Sequence, residues 1–248
     1  MSTKERILVL TRAIPEKSNK HGHLVCVAGI TEKGEWRRLY PFKSHYGKGL
    51  IGFGKRDILE AELTLPDHDK RKESRKVISY KVAGQADYRA ALKQIFPLTT
   101  SMEKLKEGDA SLGIIKPRED FKADVVVNDT NLHDEQTYLA ATEKFLEKRE
   151  KVKLPVELRY RFFCKGEPTC RGHHIILMDW ELNELARNIL KKDKNKKKAE
   201  HKIWKKFVGF MKGRDLYFVM GTHFKYKTWI IIGVFYPEKN ILAQRTLV

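Results

Sequence analysis

The 248 residues suffice for one large domain or two modest ones, and 41% hydrophobic with 10% aromatic residues excludes a disordered polar chain. Three cysteines exclude a disulfide scaffold and fit a reducing compartment. Fifty Lys and Arg against 32 Asp and Glu give a net charge of +18, and no apolar run reaches the ~18 residues of a membrane span. The expectation is a cytoplasmic, non-membrane protein that attracts polyanions.

MSTKERILVL passes from charge straight into a short strand-like run, which is not the pattern of a secretory signal. ERILVLTRAI, HLVCVAGITE, GEWRRLYPF, RDILEAELTLP, RKVISYKVAG and FKADVVVND follow as β-branched or aromatic runs separated by Gly, Pro, Asn and Asp. Such short, evenly punctuated runs predict a small barrel or sandwich over residues 1–127. One helix interrupts it, DYRAALKQIF, which starts after Asp87 and stops at Pro97. Leu139, Glu143, Leu146 and Glu150 recur at helical spacing, so residues 128–154 are expected to form a helical connector closed by Pro155.

The remainder, 155–248, reads ββααββ. Two strands, VELRYRFF and HHIILMD, are joined by CKGEPTCRG. A helix, WELNELARNIL, buries Leu182, Leu185, Ala186 and Ile189. After the loop KKDKNKKK comes a second helix with Ile203, Phe207, Phe210 and Met211 on its apolar face. DLYFVMGTH and KTWIIIGVFYP end the chain as strands, the last apolar on both faces and therefore expected at the centre of its sheet. The fold class is α+β. Charge is concentrated here: residues 1–150 carry 28 basic and 23 acidic side chains, residues 151–248 carry 22 and 9.

LVLTRAIPEKSNKHGHLVCVAGITEKGEWRRLYPF, followed by DILEAELT and SLGIIKP, resembles the prokaryotic families labelled dual OB-containing. YRFFCKGEPTCRGHHIILMDWEL, with GTHFKYKTWIIIGVFYP, resembles the C-terminal part of proteins carrying that region. The resemblance implies an OB-like barrel pair and a nucleic-acid setting. It brings no catalytic residue with it.

Several stretches are candidates for chemistry. GLIGFGKR spells most of a phosphate-binding loop, but Arg56 stands where Ser or Thr would hold magnesium, and the following DILEAELTLP reads as a strand where a helix is required. A glycine-rich turn is the simpler reading. Cys164, Cys170 and His173 lie in one Gly/Pro-rich loop and are candidate ligands of a structural zinc, with a fourth ligand that spacing does not identify. His174, Asp179, Glu181 and His223 would form the centre of a magnesium-dependent nuclease, since oxygen ligands at a strand end suit that ion. Yet Asp179 just before a helix is also a good N-cap and Glu181 favours the helix dipole, which explains both residues without catalysis.

Aromatic and basic residues interleave twice, in Trp36, Arg37, Arg38 and Tyr40 on a strand and in Phe224, Lys225, Tyr226 and Lys227 at a hairpin tip. Rings that stack on bases beside cations that hold phosphates are the means of single-strand binders. Lys191, Lys192, Lys194, Lys196, Lys197 and Lys198 add affinity without base readout. The expected function is therefore binding of DNA or RNA, single-stranded or structured. A nuclease is the competing enzyme class, and a nucleotide sensor with a pocket between barrel and C-terminal domain is the third.

Overall fold

The computed structural model describes residues 2–14, 16–18, 22–44, 52–128, 154–223 and 227–243. Of the expected helical connector, 128–154, residues 129–153 lie outside them, as do the hairpin-tip residues Phe224, Lys225 and Tyr226. The molecule is a mixed α+β protein with a closed five-stranded barrel in its N-terminal part.

The barrel is built from β1 (Thr3–Arg12), β3 (Gly22–Thr31), β4 (Trp36–Ser44), β5 (Asp57–Thr64) and β6 (Ser74–Gln85), with the short β2 (Glu16–Ser18) on the edge of β3. β1 pairs antiparallel with both β3 and β5, β5 with β6, and β3 with β4. A parallel pairing of residues 38–40 with 74–76 closes the circle between β4 and β6. Alternation decides what faces inward: Ile7, Val9, Val25, Val27, Leu39, Leu59, Ala61 and Leu63 fill the interior. Leu8, Leu10, Ala28 and Ile30 point outward but are also buried, under α1 (Tyr88–Ile95) and the strands of the second body. β1 is thus apolar on both sides because it is covered on both sides.

A 3-10 turn (Phe96–Leu98) leads from α1 into that second body. β7 (Thr99–Thr100), α2 (Met102–Glu107), β8 (Leu112–Ile115) and β9 (Lys122–Val127) come first, then β10 (Val156–Phe162), β11 (His173–Ile176), α3 (Trp180–Lys192), α4 (Lys196–Trp204), β12 (Tyr217–Thr222) and β13 (Trp229–Phe235). The strands form two sheets, ordered β11-β10-β9 and β13-β12-β8-β7. This corrects the grouping of residues up to 127 with the barrel: β8 pairs with β12 and β9 with β10, partners that no local pattern discloses. It also moves β13 from the expected centre to the end of its sheet's order. β13 is apolar on both faces because it packs against β1, while residues 177–178 cover its outer edge through a bridge at Ile231.

Two helical expectations also change. Only 193–195 separate α3 from α4, so five of the six lysines of KKDKNKKK stand on helices; the Asn195 side chain accepts from the Lys198 amide at 3.0 Å and caps α4. Beyond α4, residues 205–209 form a π-helical turn before the last turn Phe210–Lys212, and the Tyr160 hydroxyl donates to the Phe207 carbonyl. The wider turn shifts the phase of the helix. Val208 is buried beside Ile203, Phe207 and Met211, and Phe210 turns out to 38% exposure.

Barrel and second body meet closely. The Thr11 hydroxyl donates to the Ile232 carbonyl at 2.7 Å, and a Cβ added at Gly233 would fall 2.1 Å from that hydroxyl oxygen. Gly233→Ala is expected to destabilise the protein by about 1–3 kcal/mol through overpacking, read in urea denaturation. A variant as stable as the parent would mean that β1 can shift away from β13 without cost.

Candidate functional site

The zinc-candidate loop is shaped by its glycines. Gly166 (φ +77°) and Gly172 (φ +88°) adopt conformations that L side chains rarely take, and a Cβ at Gly172 would crowd the Phe163 ring at 3.1 Å. The turn returns Cys170 toward Cys164, so that the Cys164 amide donates to Cys170 Sγ at 3.2 Å. Cys170 Sγ lies 3.2 Å from His173 Nε2. On the other side stands α2, whose Ser101 cap accepts from the Lys104 amide and whose Met102 amide donates to Cys164 Sγ at 3.5 Å. Glu103, in the first turn of α2, brings Oε1 to 3.2 Å from the same His173 Nε2.

Glu103, Cys164, Cys170 and His173 thereby place four ligand atoms within 4.8 Å of one another. Among the described residues this is the group of His, Cys, Asp and Glu that converges closely enough to hold a metal ion. Sequence reasoning found three of its members and missed Glu103. Burial pushes the Cys164 thiol up to about 12, against the amide of Met102, which lowers it. Burial likewise lowers His173, against the neighbouring Glu103, which raises it.

The nuclease candidates are dispersed by comparison. His174 Nε2 lies 3.1 Å from Asp124 Oδ2 of β9, and His223 stands at the β12–β13 hairpin, where its amide donates to the Thr228 carbonyl. Asp179 is fully buried at the junction of barrel and second body. Its Oδ1 accepts from the Glu181 amide at 2.6 Å, capping α3, while Oδ2 takes the Lys55 ammonium at 2.9 Å and the Val234 amide at 3.2 Å. Glu181 reaches the same ammonium at 2.9 Å. Burial alone would push Lys55 down, but Asp179 and Glu181 outweigh it and hold the ammonium well above the ordinary lysine range. The lysine of the phosphate-loop-like stretch is therefore a buried structural cation.

A cleft opens beside this junction, lined by Arg12, Lys55, Arg56, Tyr88, Glu181 and Tyr236, with a volume of about 170 Å³. That is well short of the ~300 Å³ at which small-molecule pockets begin. Its cations are engaged: Arg12 donates to the Phe53 carbonyl, and Arg56 donates to the Ala86 carbonyl with its guanidinium 4.3 Å from the Tyr88 ring centre.

The strand residues expected to meet nucleic acid are mostly spoken for. Arg37 is buried between Glu5 and Glu35, at 2.6 Å from each. Arg38 is buried too and donates to the Ser111 carbonyl across the junction, and Trp36 packs against the core between the two bodies. Tyr40 stays exposed, at 41%. Lys227 is exposed and turns the hairpin with φ +50°.

The lysines of 191–198 behave otherwise. They continue into Lys202, Lys205, Lys206 and Lys212, and all ten are exposed. Residues 191–214 hold eleven basic side chains and two acidic ones. Among them the rings of Trp204 (39% exposed) and Phe210 come to the surface. Trp204 lies over Gly209, where a Cβ would meet the indole at 3.3 Å, and stacks with His201 at 15° between planes. Lys206 and Arg214 flank the Phe210 ring at 4.5 and 4.9 Å. The apolar helical period had assigned Phe210 to the core, and Trp204 carried no signal beyond its basic neighbours.

A barrel docked on a second body that carries both a cluster able to hold a metal ion and a basic helical segment defines a mixed α+β protein of two joined parts. The chain belongs to the family described as Domain of unknown function (DUF8757), whose model matches residues 98–248. A second family model, Domain of unknown function (DUF8758), matches residues 3–94. The interval between the two matches falls at the end of α1, where the barrel ends and the second body begins. A comparison with curated proteins returned no match.

Proposed function

We propose that this is a nucleic-acid-binding protein built on an OB-like barrel, with residues 155–248 contributing a ββααββ succession to the second body, whose sheets β8 and β9 complete. The observation that carries the reading is the 191–214 segment: ten exposed lysines and two exposed aromatic rings within 24 residues, on helical turns interrupted only at 193–195. Cations attract and hold a phosphate backbone, and rings between them stack on unpaired bases. Without the short β2, the barrel strands follow one another around the circle as first, second, third, fifth and fourth, a Greek-key order that supports the OB-like reading. OB barrels use the face of their second and third strands for ligands. Here Trp36 and Arg38 of that face pack on the second body, so binding is assigned to the helical face.

With this goes a metal reading. Two thiols, an imidazole and a carboxylate suit zinc far better than magnesium or calcium, which take oxygen ligands. In this proposal the ion of the cluster is zinc.

Fluorescence anisotropy with labelled single-stranded DNA, single-stranded RNA and duplex, at low salt and with or without magnesium, tests the function. Binding that weakens steeply with salt, with the probes left intact, is the expected result. No affinity for any probe at low salt would overturn the reading, and magnesium-dependent cleavage would replace it with the nuclease. Trp204→Ala is expected to leave the melting temperature unchanged and to weaken single-strand binding about tenfold, the contribution of one stacked base. The duplex, whose bases are already stacked, should be much less affected.

A further inference from the structure

Resting on the zinc reading above, we infer that Glu103 is the fourth ligand and that the ion clasps helix α2 to the β10–β11 loop. Four observations converge on a cation at this point. The ligand atoms of Glu103, Cys164, Cys170 and His173 lie within 4.8 Å of one another. Zinc bonds of roughly 2.0–2.3 Å in a tetrahedron put neighbouring ligand atoms about 3.3–3.8 Å apart, close to the 3.2 Å separations of His173 from Cys170 and from Glu103.

The second observation is electronic. His173 Nε2 faces a sulfur and a carboxylate oxygen at the same distance. A single N–H serves one of them, and a lone pair that accepts from the Cys170 thiol still faces the carboxylate unsatisfied; a cation among them satisfies all three. Third, Glu103 Oε2 is buried with no hydrogen-bond partner, a costly state for a carboxylate oxygen unless a positive charge stands beside it. Fourth, both sulfurs receive backbone amides, Cys164 from Met102 and Cys170 from Cys164, as metal-bound thiolates do.

The consequence is a long-range staple. Glu103 belongs to a six-residue helix that has little stability of its own. Apart from the cluster, α2 is held to the loop by a hydrogen bond from Ser101 to Glu167 at 3.1 Å. A ligand from α2 ties residues 101–107 to a loop that follows them by some sixty positions, and no exchange of electrons or atoms with a substrate is involved. Zinc in a closed site of this kind contributes to folding.

The test uses the full chain purified without added metal. Elemental analysis gives the zinc content, and replacement by cobalt gives a spectrum whose visible bands report tetrahedral geometry and whose near-ultraviolet bands report thiolate ligands. The parent protein is expected to hold about one equivalent. Glu103→Gln is expected to lose zinc to a competing chelator at least tenfold more readily and to alter the visible cobalt bands. Glu103→Cys is expected to restore retention and to raise the near-ultraviolet absorbance by about half, as two thiolates become three. Circular dichroism confirms that both variants fold, and the Cys rescue keeps the assignment testable if Gln is unstable. A parent protein free of zinc under reducing conditions overturns the zinc reading itself. Zinc in the parent, with Glu103→Gln matching it in retention and spectrum, leaves that reading intact and overturns the clasp.

Discussion

Asp179→Ala is expected to destabilise the protein by about 3–5 kcal/mol, a large share of a typical folding free energy. The substitution removes the cap of α3 and leaves the Lys55 ammonium, inside the junction, with Glu181 as its remaining carboxylate. Asp179→Asn retains an acceptor for the Glu181 amide and should lose less, while Lys55→Met leaves a buried carboxylate with two amide donors. The double variant Asp179→Asn/Lys55→Met is expected to recover stability relative to the sum of the single variants, because neither half of the buried Asp179–Lys55 pair is then left without its partner, and Glu181, which also loses Lys55, is part-exposed to water. Because Lys55 is raised in the folded state, its contribution is fully present below the ordinary lysine value of 10.5 and is lost as pH climbs toward the folded value. The parent should therefore lose stability above roughly pH 10.5 in excess of Lys55→Met. Urea denaturation over that range measures both effects. Asp179→Ala with unchanged stability would return Asp179 to the list of catalytic candidates.

That residue illustrates how much of the molecule is legible in its sequence. The capping role of Asp179 follows from local order: an apolar strand, a carboxylate, then a helix whose apolar face begins at Leu182. Its bond to Lys55 does not, because the partner comes from a glycine-rich turn 124 positions away in a different part of the fold. The barrel strands were readable for the same local reason. Their alternation and their Gly and Asn breaks are properties of neighbouring residues, whereas the pairing of β8 with β12 and of β9 with β10 is not.

The cluster divides along the same line. Three of its members, Cys164, Cys170 and His173, lie within ten positions of one another and announce themselves by residue type. Glu103 sits in a helix too short to give a periodic signal, with 62 positions between its neighbour Met102 and Cys164. Surface chemistry was partly hidden by helix geometry. A regular 3.6-residue period puts Phe210 with Ile203 and Phe207, and only the π turn at 205–209 sends it outward. In the other direction, Trp36, Arg37 and Arg38 looked like a binding strip because a sequence does not disclose that a second body covers the strand.

Replacing Lys191, Lys192, Lys194, Lys196, Lys197 and Lys198 with Gln is expected to lower nucleic-acid affinity on the order of 100-fold at moderate salt, equally for all base sequences. Each lysine that neutralises a phosphate contributes about 0.7 to the slope of log affinity against log salt on a single strand and about 0.9 on a duplex. Loss of four to six such contacts flattens that slope by roughly 3–5. The fold should tolerate the change. All six side chains are exposed, Gln is nearly as good a helix former as Lys, and the charge pair given up, Lys198 with Asp193, lies at the surface with Lys202 still in place. A matched variant controls for bulk charge: Gln at the exposed Lys4, Lys33, Lys70, Lys93, Lys122 and Lys165 removes the same six charges from other surfaces. If the helical face is the contact, that control loses only the weak, long-range part of the attraction, which salt screens within about 8–10 Å. Equal losses in the two variants would mean that net charge alone drives binding and that the 191–214 face is no site. Unchanged affinity and slope in the first variant, with binding intact, would move the contact elsewhere, Tyr40 and the β12–β13 hairpin being the next surfaces to test.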